Sequence, residues 1–259
     1  MNITKIYLTI LAMLMISESA LANISIFPYS VDFSDKSRKH VQSIRVINSS
    51  TQTQTYRVSV VNFDQDENGR LKEVDENATS AKKYVTYSPR QFTLKPNDVQ
   101  TINIARKSLS SASDGEYVSH LKISEVNIGM PKSDKNKDAN SNTLSMELKA
   151  LFAVTIPVTI EKGEAGISKT SLVNFKNVDG KKVNFTFKRE GTKSSRFNAV
   201  ILGEKGEEFG RVNGIKIYMT TDTLNIDVPL NKNLKNMNAL LKLEDAKSKE
   251  EIFRQPIRL

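Results

Sequence analysis

The chain of 259 residues contains no cysteine, no tryptophan and only two histidines. Without cysteine it has no disulfide bond, no thiolate metal site and no cysteine nucleophile. His40 and His120 lie far apart in the sequence, which excludes a histidine-rich metal site or a metalloprotease helix. The sequence therefore predicts no bound metal and no cofactor.

Catalytic motifs are also missing. The nucleophile-elbow pattern G-x-S-x-G is absent, and so is a glycine-rich loop that could hold a phosphate. The acidic turn at residues 64–69 (DQDENG) lacks the distal bidentate carboxylate that a calcium loop needs. We therefore predict a protein that is not an enzyme, with no small-molecule substrate.

The chain has one long apolar run, which lies at residues 6–16 and is shorter than the roughly 20 residues of a membrane span. Lys5 precedes this run, and the small residues Ala20 and Ala22 follow it as an A-x-A cleavage site. We predict a signal peptide over residues 1–22, cut after Ala22. An uncleaved membrane anchor is the alternative.

The balance of charge is basic, with 38 Lys and Arg against 29 Asp and Glu and a net charge of +9. In an exported protein this excess favours an acidic partner or surface, and no nucleic acid is expected. The lysines are scattered along the chain, which is also the pattern of an ordinary solvated surface.

The rest of the sequence has the pattern of short strands separated by turns. Apolar residues alternate with polar ones, as at Tyr56, Val58 and Val60, and turn signals such as residues 95–98 (KPND) recur between them. This spacing predicts an all-β protein of antiparallel β-sandwiches. A hydrophilic linker at residues 161–166 (EKGEAG) divides a first domain, residues 23–160, from a smaller second one, residues 161–259.

One segment has an unusual apolar pattern. After a long polar stretch at residues 129–143, seven apolar residues follow on a single strand phase: Leu144, Met146, Leu148, Ala150, Phe152, Val154 and Ile156. A long central strand that buries its core face is one interpretation. The other is an edge strand whose side chains are offered to a partner, because exposed strand edges pair with other chains.

Several short motifs occur in a specific order. They are residues 88–96 (SPRQFTLKP), 114–121 (DGEYVSHL) and 153–158 (AVTIPV), followed by 188–191 (KREG) and 214–218 (GIKIY). Together they resemble the periplasmic pilus chaperones of the chaperone–usher pathway, in particular the archaic or alternative-type branch. The resemblance extends over nearly the whole chain after residue 22.

This resemblance implies two immunoglobulin-like domains in a boomerang arrangement and a periplasmic location. Such a chaperone stabilises pilus subunits by donor-strand complementation and delivers them to an outer-membrane usher. The donor residues expected here are Leu144, Met146, Leu148, Ala150, Phe152 and Val154. Burial of each larger side chain would contribute roughly 1.5–3 kcal/mol.

The family also binds the terminal carboxylate of the subunit with basic residues in the cleft between the domains. Here Val118 and Ser30 stand where relatives carry arginine. The resemblance therefore leaves Lys149, Lys122 and His120 as the expected anchor. The alternative function is a secreted or surface two-domain immunoglobulin-like adhesive protein, which would use the same sandwiches without a free strand.

Overall fold

The computed structural model describes residues 23–126, 151–163 and 168–259. In the first part of the chain, the strands are β1 (Ile24–Phe27), β2 (Val31–Ser34), β3 (Val41–Asn48), β4 (Gln54–Gln65), β5 (Leu71–Val74), β6 (Val85–Ser88), β7 (Gln91–Leu94), β8 (Val99–Arg106), β9 (Gly115–Glu125) and β10 (Ala153–Lys162). A single 3₁₀ turn, Lys82–Tyr84, interrupts the described part of this region.

The second part contains β11 (Ser168–Val178), β12 (Lys182–Gly191), β13 (Ser195–Leu202), β14 (Glu208–Ile217), β15 (Thr223–Pro229), β16 (Asn238–Asp245) and β17 (Glu251–Arg258). The prediction of an all-β protein is thereby confirmed for the described residues. No helix in the described ranges has the length and apolar character needed to cross a membrane.

The first ten strands form a sandwich of two sheets. One sheet has the order β1-β3-β8-β6 and the other β2-β10-β9-β4-β5, with β7 also paired to β4. Alternate residues of each strand point into the space between the sheets. The resulting core includes Ile44, Tyr56, Ile102 and Leu121, all fully buried.

The last seven strands form a second sandwich with its own core. Its sheets have the orders β11-β12-β15 and β14-β13-β16-β17. Phenylalanines form part of this core: the rings of Phe187 and Phe197 meet edge to face, with centroids 5.1 Å apart. Strand β10, the last of the first sandwich, ends at Lys162, close to the domain boundary that the sequence predicts after residue 160.

The large sheet of the first sandwich has one face in the core and one face turned outward. On β9, Leu121 and Ile123 are buried in the core, whereas His120 and Lys122 lie on the opposite face. Strand register extends this outer face to β10, because His120 lies opposite Pro157 and Lys122 lies opposite Thr155. This outer face contacts the second sandwich.

Candidate functional site

The outer edge of β10 is only partly covered. On one side β10 pairs with β9 along its whole length, from Ala153 to Lys162. On the other side it pairs with β2, in parallel, only from Val158 to Glu161. Within residues 23–126, 151–163 and 168–259, no strand pairs with this edge at residues 153–157. Unpaired edges of this kind can add a strand from another chain.

The backbone groups on that edge can be assigned from the pairing with β9. The N–H of Glu125 donates to the carbonyl oxygen of Phe152, at 2.9 Å. Such bonds alternate along an antiparallel pair. The backbone N–H and C=O groups of the even-numbered residues of β10 therefore bond to β9, and those of the odd-numbered residues point toward the outer edge. The outward donors are therefore the N–H groups of Ala153 and Thr155. Pro157 has no N–H to donate, which suits an edge position.

The apolar phase of β10 continues beyond the core of the first sandwich. Ile156, Val158 and Ile160 are buried in that core, and Val154 packs partly against it. Phe152, the next residue on this phase, is 52% exposed. The strand thus changes from a buried apolar strand to an exposed one within a few residues.

Four of the predicted donor residues and one predicted anchor fall outside the described residues. They are Leu144, Met146, Leu148, Ala150 and Lys149. Their role stays a prediction. Phe152 and Val154 are described, and both lie on the phase that the sequence assigns to the partner.

Lys122, the second predicted anchor, lies on the outer face next to this edge. Its Nζ atom is 2.7 Å from the Oε2 atom of Glu73, and its side chain is 29% exposed. An ion pair this exposed contributes little to stability, because solvent screens it. Lys122 therefore remains able to exchange Glu73 for another carboxylate.

His120 lies where the two sandwiches meet. Its ring packs edge to face against Phe63, with centroids 4.9 Å apart, and its Nε2 atom is 3.3 Å from the hydroxyl oxygen of Tyr218. Burial, with a smaller effect of Lys216, lowers the pKa of His120 to about 4. The imidazole is therefore neutral at neutral pH and supplies no positive charge to an anchor.

Lys216, from the second sandwich, lies at this contact with its ammonium nitrogen buried. It sits on β14 between Ile215 and Ile217, which point into the core of the second sandwich. Its Nζ atom lies 4.0 Å from the centroid of the Tyr218 ring and is a buried nitrogen with no hydrogen-bond partner among the described residues. Burial and, to a lesser degree, Arg196 lower the pKa of Lys216 to about 8.

A polar cavity of about 570 Å³ lies beside this cluster, between the two sandwiches. Arg196 of the second sandwich bonds there to the hydroxyl of Thr159 at 3.2 Å and pairs with Asp32 at 3.5 Å. Buried Glu116 accepts hydrogen bonds from the hydroxyl and the N–H of Ser194. Both signs of charge line the cavity, and no group of three or more metal-ligating side chains occurs in the described part of the chain.

The sequence reasoning missed Lys216, Arg196 and Tyr218 as members of this contact. A signal for two of them is present in residues 214–218 (GIKIY), where a lysine and a tyrosine share the phase opposite two apolar residues. That alternation shows which face is turned from the core. It does not show that another sandwich covers that face.

Comparison with protein-family models and with curated proteins found no match. Among solved structures, the chain is similar to the YadV chaperone, with 12% identity and a TM-score of 0.49, over 92% of this chain and 100% of that one. It is also similar to the SafB chaperone in complex with the SafA pilin of Salmonella enterica. There the identity is 11% and the TM-score 0.47, over 93% and 98% of the two chains.

A third similar structure is the CsuC–CsuE chaperone–tip adhesion subunit complex from the archaic chaperone-usher Csu pili of Acinetobacter baumannii. Its identity is 12% and its TM-score 0.45, with coverage of 79% of this chain and 90% of that one. Each of these three structures includes a chaperone. At identities this low, the evidence on function comes from the residues of this chain.

Proposed function

We propose that the protein is a periplasmic chaperone that captures pilus subunits by donor-strand complementation and delivers them to an outer-membrane usher. One observation carries this proposal. At residues 153–157 the outer edge of β10 is unpaired within the described ranges, and at Phe152 its apolar phase leaves the core. The strand therefore presents both backbone donors and an apolar side chain at the same edge.

The apolar phase that leads into this edge supports the same function. Residues 144–152 carry Leu144, Met146, Leu148, Ala150 and Phe152 on the phase of Val154. A subunit with an incomplete sheet could pair with the strand backbone and bury these side chains in its core. Backbone pairing would supply affinity, and the alternate side chains would supply specificity and register.

The carboxylate anchor is part of this proposal. A carboxylate brought into a semi-enclosed cleft loses hydration and needs a charge-assisted partner. Lys149 and Lys122 are the proposed anchors, and Lys122 lies opposite Thr155 on the outer face of the sheet. We assign His120 a packing role at the sandwich contact, because its lowered pKa keeps it neutral.

The test is co-expression of the chain with the secreted proteins encoded next to it, followed by affinity isolation from the periplasm. We expect a complex of one chaperone and one subunit, and loss of that subunit when the chaperone is omitted. If the neighbouring proteins accumulate in folded form without the chain and none binds it, the chaperone function is wrong. The alternative, an adhesive protein, predicts instead that the chain itself is found on the cell surface.

A further inference from the structure

Gln65, the last residue of β4, bridges the two sandwiches with its side-chain amide. Its Nε2 atom donates to the carbonyl oxygen of Lys216 at 3.0 Å, and its Oε1 atom accepts from the N–H of Tyr218 at 2.9 Å. These two groups belong to alternate residues of one chain segment. In a parallel sheet, the N–H and the C=O of one residue bond to the two residues that flank its partner on the next strand. The side-chain amide of Gln65 bonds in the same way to the two residues that flank Ile217.

A third bond and the following turn strengthen this bridge. The backbone N–H of Gln65 donates to the hydroxyl of Thr220 at 3.0 Å. Two residues on, the carbonyl oxygen of Glu67 accepts from the N–H of Asn225 at 2.6 Å. The end of β4 and the turn that follows it therefore bond both to the segment that connects β14 to β15, at Thr220, and to β15 itself, at Asn225.

Gln65 is almost completely buried, with 8% of its surface exposed. A buried amide that loses its partners is left with unsatisfied donor and acceptor groups, which is costly. If the second sandwich shifted while Gln65 stayed covered, both polar atoms of Gln65 would lose their partners on Lys216 and Tyr218 without gaining water in exchange. The burial of this amide therefore favours one relative position of the two sandwiches.

The segment that Gln65 holds carries the titratable side chains of the second sandwich that act on His120. The hydroxyl oxygen of Tyr218 lies 3.3 Å from the Nε2 atom of His120, and the charge of Lys216 lowers the pKa of His120. In the first sandwich, His120 lies opposite Val61 of β4 and Pro157 of β10, which carry no charge. The pKa of His120 therefore depends on how closely the second sandwich packs against the first.

We propose that Gln65 is a positioning residue that fixes the second sandwich against the outer face of the first and thereby sets the shape of the cleft between them. This role belongs to the isolated protein and does not depend on the captured partner. The outer face that it orders is the face that carries Lys122 and Thr155 beside the open edge of β10.

The test uses the two histidines as probes in one molecule. Proton NMR titration of the imidazoles of the full mature chain gives one pKa for His120, at the contact, and one for His40, which is remote from it. In Gln65→Ala we expect the pKa of His120 to rise by about one unit or more toward 6.5, because the ring gains solvent. The pKa of His40 should not change.

Two further variants complete the design. Gln52→Ala removes an exposed glutamine side chain from a loop of the same sandwich and should leave both titrations unchanged. Gln65→Met keeps the length of the side chain without adding charge and removes both the donor and the acceptor, so a rise similar to that of Gln65→Ala is expected. It also serves as the test if Gln65→Ala does not fold.

An unchanged pKa of His120 in a folded Gln65→Ala or Gln65→Met variant would overturn the proposal. Failure of both variants to fold would also contradict it, because Gln65 would then be required by the first sandwich itself. Neither result depends on capture of a pilus subunit, so this test can fail while the proposed function stands.

Discussion

The backbone N–H of Glu125 donates a hydrogen bond to the carbonyl oxygen of Phe152, with the two atoms 2.9 Å apart. This bond extends the β9–β10 pairing one residue beyond the start of β10 at Ala153. The aromatic ring of Phe152 is nevertheless half exposed. The strand is therefore held in an extended form at the point where its apolar side chains no longer pack into the core of their own sandwich.

The first prediction concerns Phe152. We expect Phe152→Asp to lower the yield of chaperone–subunit complex about tenfold or more, since burial of a phenylalanine contributes roughly 1.5–3 kcal/mol. The midpoint of thermal unfolding of the isolated protein should not change, because this side chain already lies half in solvent. The double substitution Met146→Asp and Leu148→Asp should have the same effect.

Val173→Asp is the matched control for Phe152→Asp. Val173 is an exposed apolar residue of β11 in the second sandwich, with 58% of its surface in solvent. This variant should form the complex at the wild-type level. If it lowers the yield as much as Phe152→Asp does, the loss reflects added charge and not the position of Phe152.

The second prediction separates an anchoring lysine from a lysine that merely pairs with Glu73. Lys122→Ala should weaken subunit binding by roughly 2–5 kcal/mol if a buried carboxylate is left unpaired, and Lys149→Ala should act similarly. Glu73→Gln removes the carboxylate that now contacts Lys122 and should leave binding unchanged or make it tighter. Equal losses in Lys122→Ala and Glu73→Gln would show that only their ion pair matters.

Sequence reasoning succeeded where strands alternate clearly and lie in the middle of a sheet. Tyr56, Val58 and Val60, whose alternation predicts a strand, lie on β4 and all point into the core of the first sandwich. The all-β class follows from such alternation, because the period of two is set by the backbone itself.

Edge strands were harder to recognise, because one side of each lies in solvent and apolar residues are few. In β11, most side chains are exposed or only partly buried, and the register shifts between Leu172 and Asn174. In β17, only Ile257 is buried. The sequence pattern predicts neither strand.

The sequence pattern also does not predict the contact between the sandwiches. Gln65 forms hydrogen bonds with Lys216 and Tyr218, and Gln65 and Lys216 are 151 positions apart in the sequence. A glutamine at a strand end has no pattern that indicates its partner. The cationic residues of the second sandwich were missed for the same reason.

The third prediction concerns the stability of the folded protein at acidic pH. The pKa of His120 is about 4 in the folded protein, against 6.5 for an exposed histidine. As the pH falls from 6.5 toward 4, the unfolded chain binds a proton that the folded chain does not bind, so stability is lost over this window. The lowering of the His120 pKa corresponds to a loss of roughly 3 kcal/mol at most in the free energy of unfolding.

Urea denaturation at a series of pH values checks this third prediction. His120→Phe should reduce the slope of stability against pH between 6.5 and 4, because the titrating group is gone. His40→Asn is the control and should keep the wild-type slope. A wild-type slope in His120→Phe would mean that other groups cause the acid sensitivity.

The fourth prediction concerns export. The protein recovered from the periplasm should begin at Asn23, after cleavage that follows Ala22. Amino-terminal sequencing measures this directly. Recovery of a chain that still begins at Met1 would contradict the predicted signal peptide and favour the membrane anchor.

Donor-strand complementation requires that the open edge of β10 pair with a strand of the captured subunit. Hydrogen exchange of the outward backbone amides of Ala153 and Thr155, measured by NMR in the free protein and in the isolated complex, tests this pairing. Exchange should be fast in the free protein and at least about tenfold slower in the complex, because each amide gains a hydrogen bond. Equally fast exchange of both amides in a stable complex would contradict it.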